Sequence, residues 1–262
     1  METTSHHGRE TAFEVSDRGG DDAPVLFVHG SGGRAGVWKG QARMSDERPV
    51  VALDLSGHGE SDDVHADAGF ETLSVYADDV IAVARETGAE FLVGNSLGGA
   101  VVQHILLERA DEYEPAGVVL AGTGAKLAVL DDLRDWLASD FERAVEFLHG
   151  PDRLFHDADP RFVELSKAAM RDCGRTVTER DFLTCHEFDV RDDLDGLTGP
   201  ALCLVGEHDR LTPPHYHEYL AEHIQDASVT VLQNAAHLAM LEQPEAFNEA
   251  VSRFCRRVET GE

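Results

Sequence analysis

The chain has 262 residues, of which 50 are Asp or Glu and 22 are Lys or Arg, so its formal net charge is −28. This length accommodates one large α/β domain or two small ones, and a hydrophobic fraction of 42 % is enough for a sizeable core. The acidity argues against a nucleic-acid-binding protein and against docking on anionic membranes, because both need clusters of Lys and Arg.

The N-terminal segment, from Met1 to Gly8, lacks the basic and apolar regions of a signal peptide. No apolar stretch approaches the roughly 20 residues that cross a bilayer. We expect this segment and residues 259–262 to fray. The four cysteines form no C-x-x-C pair, so neither a zinc knuckle nor a redox motif is indicated. Buried free thiols and a cytoplasmic location are the prediction.

Short apolar runs alternate with helical patterns through the first 120 residues. The runs are continuous, which is typical of strands that are covered on both faces. They lie at residues 25–28, 50–53, 91–93 and 118–120, and the helical patterns at 73–85 and 97–109. This alternation predicts right-handed βαβ units and a mostly parallel sheet flanked by helices.

The pattern changes after Gly122. No strand-like run occurs between about residues 125 and 197, where charged residues and large apolar residues follow helical spacing. Strands resume at 201–205 and 229–232, and a last helix is predicted from Pro244 to Arg257. We therefore expect one α/β domain that is interrupted by a helical insertion. The predicted division is 1–124 and 198–262 for the domain and 125–197 for the insertion.

A tight turn between a predicted strand and a predicted helix lies at residues 94–99, which read G-N-S-L-G-G. This is the context of a nucleophile elbow, which holds a nucleophilic hydroxyl at the edge of a sheet. Gly94 and Gly98 supply the small side chains that such a turn needs. Ser96 is therefore the candidate nucleophile, and the alternative is a glycine-rich turn with a capping serine.

A serine nucleophile needs a base, and the base needs an orienting group. Three further motifs are present: V-H-G-S-G-G at 28–33, D-L-S-G-H-G-E-S-D at 54–62 and V-G-E-H-D-R-L-T-P-P at 205–214. With the elbow, they make the chain resemble enzymes of the α/β-hydrolase fold over about residues 13–258. The resemblance implies a mostly parallel sheet flanked by helices, with the insertion as a helical cap.

In that family the orienting acid follows a late strand and the histidine follows the last strand. The resemblance therefore implies that Asp209 is the acid and His237 the general base. Glu207 and Asp226 are weaker candidates for the acid, and the usual alternative position, after the strand at 118–120, carries no carboxylate. The family commonly has glycine just before this histidine, whereas this chain has Ala236.

The resemblance also implies an oxyanion hole made by the backbone N–H groups of Ser31 and Leu97. The glycine-rich loop around Ser31 lacks the lysine and serine of a phosphate-binding loop. His29 and His58 lie in the motifs at 28–33 and 54–62, and we expect both to have a structural role. No organic cofactor and no metal are expected for this chemistry.

Four histidines near the acid loop could form a zinc site or could be ordinary surface residues. Their spacing resembles no H-E-x-x-H pattern, so we expect surface residues. The histidines concerned are His208, His215, His217 and His223.

An apolar acyl pocket under the cap is the expected substrate site. The candidate contacts are Trp136, Phe141, Phe147 and Leu238, with Leu148, Phe155, Phe162, Met170 and Phe182 as further possibilities. Most of these side chains also have to join the cap to the core, so only a minority of them are expected to contact substrate.

The activity implied by the resemblance is hydrolysis of carboxylic esters of small or medium acyl groups through an acyl-enzyme. A serine argues against dehalogenases and epoxide hydrolases, which use an aspartate. Carbon–carbon bond hydrolases of meta-cleavage pathways share the motifs, but many carry Trp where this chain has Leu238. Thioesterase, lactonase and cofactor-free perhydrolase activity stay open. A non-catalytic ligand receptor is the alternative from another class, and the sequence makes no prediction of oligomeric state.

The positive charge has an unusual make-up. Lys39, Lys126 and Lys167 are the only lysines, and Arg supplies the rest. Such an excess of carboxylates repels itself in dilute salt, whereas molar salt shortens the Debye length to about 3 Å. Acid-rich, lysine-poor composition resembles that of halophilic proteins, those of haloarchaea above all. We expect a halophilic protein, with an ordinary acidic mesophilic protein as the alternative.

Overall fold

A single eight-stranded sheet lies at the centre of this computed structural model, which describes residues 1–261. Its strands are β1 (Glu2–His6), β2 (Arg9–Ser16), β3 (Val25–Val28), β4 (Val50–Leu53), β5 (Phe91–Asn95), β6 (Gly117–Ala121), β7 (Pro200–Gly206) and β8 (Asp226–Leu232). Their order across the sheet is β1-β2-β4-β3-β5-β6-β7-β8. The pairs β1–β2 and β2–β4 are antiparallel, and every pair from β4–β3 to β7–β8 is parallel. The predicted fold class is confirmed.

Each of the six apolar runs predicted as strands is a strand in the structure. The physical reason is visible in β3, whose four residues are all fully buried. Leu26 and Val28 pack on one face of the sheet with the helices that precede and follow β5. Val25 and Phe27 pack on the other face with the C-terminal helix. Because successive side chains in a strand point to opposite faces, a strand covered on both sides must be apolar at every position.

The helices cover both faces of this sheet and fill the long interval between β6 and β7. They are α1 (Phe70–Thr87), α2 (Leu97–Glu108), α3 (Asp131–Ser139), α4 (Phe141–Leu148), α5 (Pro160–Cys173), α6 (Arg175–Glu187), α7 (Pro214–His223), α8 (Ala239–Glu242) and α9 (Pro244–Thr260). We call the chain between β6 and β7, residues 122–199, the helical insertion; it contains α3 to α6. The predicted division points, 124/125 and 197/198, fall between elements.

The expectation that both chain ends fray was wrong. β1 pairs with β2 along its whole length, from Glu2 opposite Phe13 to His6 opposite Arg9. The two-residue turn that joins them has positive φ at both positions, which suits the twist of a hairpin. The hairpin is mostly polar, so it lacks the apolar run that identified the other strands. At the other end α9 continues to Thr260, and only Glu262 lies outside the described residues.

Two further expectations concern cysteines and membranes. Cys185, Cys203 and Cys255 are buried free thiols, as predicted, whereas Cys173 is only partly buried. None of the helices within residues 1–261 has both the length and the apolar character needed to cross a membrane.

Candidate active site

The strand-to-helix turn at Ser96 has the geometry of a nucleophile elbow. Ser96 adopts φ 55° and ψ −117°, in the region that favours glycine. A Cβ at Gly94 would lie 2.3 Å from the carbonyl oxygen of Gly98, and a Cβ at Gly98 would lie 2.4 Å from that of Val28. Only glycine fits at either position. The close approach of β5, α2 and the loop after β3 therefore explains both glycines and leaves Ser96 at the turn's tip.

Asp209 and His237 form a hydrogen-bonded pair between the loops that follow β7 and β8. Asp209 Oδ2 lies 2.8 Å from His237 Nδ1, and only 2 % and 5 % of the two residues are exposed. The other carboxylate oxygen accepts the amides of Leu211 and Thr212 at 2.8 and 2.9 Å. The Thr212 hydroxyl donates to Asp209 Oδ2 at 2.8 Å.

These contacts favour the ionised form of Asp209. Burial alone raises the pKa of Asp209, but the charge of His237 and the hydrogen bonds from His237 and Thr212 hold it below its ordinary value. An ionised Asp209 only accepts hydrogen bonds, so His237 Nδ1 carries the proton it shares. The other ring nitrogen, Nε2, is then the basic one.

Ser96 and His237 line the same cavity, although no hydrogen bond joins Ser96 Oγ to the His237 ring. Such catalytic hydrogen bonds are commonly long until substrate is bound. The amide of Asn95 reaches the carbonyl oxygens of Ala121 and His237, at 3.3 and 3.4 Å, and so connects the elbow to the histidine loop. Neither Asn95 nor Thr212 was identified as functional from the sequence, since both look like ordinary loop residues there.

Two backbone amides beside Ser96 have no hydrogen bond to another described residue, those of Ser31 and Leu97. Leu97 is the first residue of α2, where an amide has no acceptor within the helix. The loop that carries Ser31 lies against the elbow, because a Cβ at Gly30 would be 3.0 Å from Ser96 Cβ. The predicted oxyanion donors are thus both close to the serine and free to donate.

A cavity of about 1130 Å³ extends from Ser96 and His237 beneath the helical insertion. Of the predicted contacts, those that line it are Phe147, Leu238, Phe162, Met170 and Phe182. The expectation was wrong for Trp136, Phe141, Leu148 and Phe155, which are not part of its wall. Trp136, for example, lies edge-on to Phe147 with ring centroids 5.1 Å apart and under the Arg143 guanidinium at 4.3 Å. It supports the wall from behind rather than forming it.

A second histidine–aspartate pair lies at the seam between the helical insertion and the sheet domain. His58 Nε2 is 2.9 Å from Asp181 Oδ2, and both residues are fully buried. Asp181 also accepts the Tyr76 hydroxyl at 2.6 Å and the amide of Gly32 at 2.9 Å. The remaining nitrogen of His58 contacts the carbonyl oxygen of Ser56 at 3.2 Å.

The two members of this second pair hold each other in the charged state. Burial lowers the pKa of His58, but the charge of Asp181, the hydrogen bond to it and the contact with Cys173 together raise that pKa well above its ordinary value. Burial raises the pKa of Asp181, and the charge of His58 with the hydrogen bonds to it lowers it below the ordinary value. Sequence reasoning expected a structural role for His58 and missed Asp181.

His29, in the loop that carries Ser31, has both ring nitrogens occupied. Nε2 accepts the amide of Leu55 at 3.1 Å, and Nδ1 donates to the carbonyl oxygen of Gly30 at 2.8 Å. Burial and the nearby charge of His58 lower the pKa of His29 to about 4. It is a neutral residue that holds two loops together.

The four histidines near the acid loop have different environments. His215 and His223 are exposed and His208 is partly buried. The expectation of a surface position was wrong for His217, which is fully buried and accepts the amide of Thr123 at 3.0 Å. Burial lowers its pKa to about 4.

The chain is similar to a family of known hydrolases and to several characterised proteins. A model of the "Alpha/beta hydrolase family" matches residues 25–250. The chain is 28 % identical over 248 residues to a pimeloyl-[acyl-carrier protein] methyl ester esterase of Neisseria meningitidis, covering 85 % of this chain and 90 % of that protein. It is 26 % identical over 262 residues to 3-oxoadipate enol-lactonase 2 of Acinetobacter baylyi, covering 95 % of each. The solved structure of a thermophilic esterase superimposes with a TM-score of 0.84 and 30 % identity, over 98 % of this chain and 97 % of that one.

Proposed function

The chain belongs to the alpha/beta hydrolase family, and we propose that it is a serine esterase that cleaves carboxylic esters of small or medium acyl groups. One observation carries the proposal. The buried Asp209–His237 pair, 2.8 Å apart, opens onto the same cavity as a serine held in the strained geometry of an elbow. Nucleophile, base and orienting acid are the three parts that acyl transfer needs.

In the proposed reaction His237 Nε2 takes the proton of Ser96 as Oγ attacks the acyl carbon. Asp209 holds the imidazole and stabilises its charged form. The amides of Ser31 and Leu97 receive the oxyanion, and each such donor is worth about 10²–10³ in rate. The tetrahedral intermediate then expels the alcohol, which takes its proton from His237. Water activated by His237 hydrolyses the acyl-enzyme and releases the acid.

The charge of the cavity favours a narrower candidate, an ester or lactone that carries an anionic group. Five basic side chains line the cavity against three carboxylates: Arg34, Lys39, Arg43, Arg153 and Arg210 against Glu14, Asp54 and Glu60. Lys39 and Arg153 form no salt bridge with another described residue. Arg153 instead donates to the carbonyl oxygen of Phe147 and lies 3.7 Å from the centre of its ring. Cations without a salt-bridge partner are notable in a chain of net charge −28, and the relative named as a 3-oxoadipate enol-lactonase agrees with this candidate.

The experiment is a substrate panel in molar KCl. It contains p-nitrophenyl esters of short and medium acyl chains, methyl esters with and without a second carboxylate, a thioester, a lactone and a carbon–carbon cleavage substrate. We expect ester hydrolysis, which Ser96→Ala abolishes while the protein stays folded. Turnover confined to the thioester or the carbon–carbon substrate would replace the ester assignment. No turnover of any substrate would favour a ligand receptor.

The anionic preference has its own control within the same panel. We expect the carboxylated methyl ester to show a higher kcat/KM than its neutral counterpart. Arg153→Met should lower the ratio of these two kcat/KM values by about tenfold. Lys126→Met is the matched control, because Lys126 is paired with Asp189 at 2.8 Å and lies outside the cavity wall. Equal ratios in the wild type and both variants would rule the anionic substrate out.

We further propose that the acidic surface is an adaptation to molar salt and that residues 125–197 act as a cap over the site. The composition supports the first statement, and the cavity beneath α3 to α6 supports the second.

A further inference from the structure

A cluster of metal-ligating side chains lies outside the candidate active site. Within the described residues, Asp152, His156 and His208 each offer a ligand atom, and these three atoms all lie within 4.8 Å of one another. Asp152 Oδ1 is 2.6 Å from His156 Nδ1. The rings of His156 and His208 stack with centroids 3.6 Å apart at an angle of 12°.

We propose that this cluster is a binding site for a divalent transition-metal cation of the zinc class. Two imidazoles and one carboxylate suit Zn²⁺, Co²⁺ or Ni²⁺, whereas Mg²⁺ and Ca²⁺ prefer sets of oxygen ligands. Ligand atoms that share a tetrahedral zinc at about 2.1 Å lie about 3.4 Å apart. The three ligand atoms already lie within 4.8 Å of one another, and the His156 and His208 rings turn out of their stacked arrangement to direct both lone pairs at one ion. Water completes the coordination.

The surrounding charges leave the site open to a cation. Arg210 Nη2 is 2.9 Å from Asp152 Oδ2, which leaves Oδ1 directed at His156. On the other side the Glu207 carboxylate is 3.6 Å from His208 Nε2, and it offsets the charge of the arginine. Asp152 itself has φ 55°, an uncommon conformation that fixes where its carboxylate projects. Metal binding replaces the proton shared by Asp152 and His156.

The position of the cluster gives the metal a structural role. Asp152 and His156 belong to the helical insertion, and His208 directly precedes Asp209. The backbone already joins these parts, because the amide of Arg210 donates to the carbonyl oxygen of Asp152 at 3.2 Å. The next carbonyl, of Arg153, accepts the amide of His237 at 3.2 Å. A metal ion here would fasten the insertion to the loop that carries the candidate catalytic acid.

Sequence reasoning expected no metal and placed His208 at the surface. The cluster joins residues more than fifty positions apart, so no local spacing reveals it. The residues of this cluster also differ from the histidines that the sequence suggested as a possible zinc site, since only His208 belongs to both sets.

The test is calorimetric titration of the chelator-treated full chain with ZnCl₂, in molar KCl and a non-coordinating buffer. We expect one site per chain that His156→Ala and His208→Ala each weaken by at least about tenfold. His7→Ala is the matched control, because His7 is an exposed histidine whose Nδ1 lies 3.7 Å from Asp78. It should bind Zn²⁺ as the wild type does. Equal binding by wild type, His156→Ala and His208→Ala would overturn the proposal, and so would loss of the site in His7→Ala.

Thermal unfolding provides a readout that is independent of any catalytic activity. Saturating Zn²⁺ should raise the unfolding midpoint of the wild type and of His7→Ala by roughly 5 °C and leave that of His156→Ala unchanged. Addition of Mg²⁺ should shift none of them. A shift of equal size in His156→Ala would show that the ion acts elsewhere. Because neither measurement uses a substrate, failure of the esterase proposal would not affect the result.

Discussion

The two buried histidine–aspartate pairs of this molecule are nearly identical in distance, yet they differ in what the second ring nitrogen faces. In the pair at the cavity, Asp209 and Thr212 contact His237 Nδ1, and Nε2 is left to the cavity. In the pair at the seam, Asp181 contacts one nitrogen of His58, and a backbone carbonyl contacts the other. A base must have a free nitrogen. The free nitrogen of the histidine ring, rather than the carboxylate partner, therefore distinguishes a candidate base from a structural ion pair.

The seam pair still bears on the site, because Asp181 reaches it through the backbone. Its carboxylate accepts the amide of Gly32, and the preceding residue, Ser31, carries a proposed oxyanion donor. Asp181 lies on α6, in the helical insertion, whereas His58 and Tyr76 belong to the sheet domain. We infer that Asp181 is a positioning residue, which holds the insertion against the loop that presents the donor.

The largest expected effect separates the two pairs by activity. His237→Gln should lower kcat for the best ester of the panel by about 10⁴, because the serine loses its base. Its unfolding transition should remain cooperative and lie above the assay temperature, so the loss is not one of folding. Steady-state kinetics on the purified variant makes the measurement. Near wild-type turnover in His237→Gln would refute the assignment of the base.

The second expected effect separates the pairs by stability. Asp181→Asn removes the charged partner of the buried His58, which must then give up its proton on folding or stay charged and unpaired; the loss of the pair should cost about 3 kcal/mol of unfolding free energy. The kcat of the variant should fall only about tenfold, because the Gly32 amide loses a charged acceptor while the base is intact. Denaturant unfolding and steady-state kinetics on the same preparation give both values.

Asp172→Asn is the matched control for that measurement. Asp172 also belongs to the insertion, where it lies on α5 rather than α6. It pairs with Arg34 at 3.6 Å, but its side chain is 68 % exposed. Exposed ion pairs contribute little, so this variant should remain within about 0.5 kcal/mol of the wild type. Equal stabilities of Asp181→Asn and Asp172→Asn would contradict the ion pair at the seam.

The contrast between these residues also explains what the sequence could and could not predict. Ser96 lies in a short contiguous motif, and the family resemblance implies Asp209 and His237 from their places after late strands, so all three could be proposed without the fold. Asp181 is one of 50 acidic residues, and its partners Tyr76, His58 and Gly32 are 105, 123 and 149 positions away. No local pattern connects them. Only the folded chain shows that this carboxylate differs from its solvated neighbours.

A weaker signal for Asp181 was present in the sequence of α6. The buried residues of that helix are Val177, Thr178, Asp181, Thr184 and Cys185, which follow helical spacing. A carboxylate at a position of the apolar stripe indicates a buried polar partner. Such a stripe is hard to recognise here because the helix is charged and its buried face is half polar. The same difficulty concealed the polar β1–β2 hairpin.

The third expected effect distinguishes both buried pairs from the surface. Transfer from molar KCl to about 0.1 M should lower the thermal midpoint by about 5 °C, roughly 2 kcal/mol for a chain of this size, as surface carboxylates repel over a longer Debye length. His237→Gln and Asp181→Asn should shift by the same amount, because salt screens buried pairs much less than it screens exposed carboxylates. Full stability of the wild type without salt would contradict the halophilic adaptation and leave both pairs untouched.

The smallest expected effect is the pH dependence of the seam pair. The folded state raises the pKa of His58, so its contribution is complete below the ordinary value of 6.5 and is lost as the pH rises through the folded pKa. The folded state lowers the pKa of Asp181, so its contribution is present above 3.8 and is lost as the pH falls through the folded pKa. The pair therefore stabilises the protein most between about pH 3.8 and pH 6.5.

Replacement of the Asp181 carboxylate should remove the loss of stability that the wild type shows as the pH rises above 6.5. In Asp181→Asn, burial acts on His58 without the opposing charge, so the pKa of His58 falls and its neutral form is favoured in the folded state. The stability difference between wild type and Asp181→Asn should consequently shrink as the pH rises from about 6 to about 9, since the charged form of His58 stabilises only the wild type. Urea unfolding of both proteins at the two pH values, in the same molar KCl, measures it. A difference that stays constant would mean that His58 is neutral in the native protein, and the seam would then be held by hydrogen bonds alone.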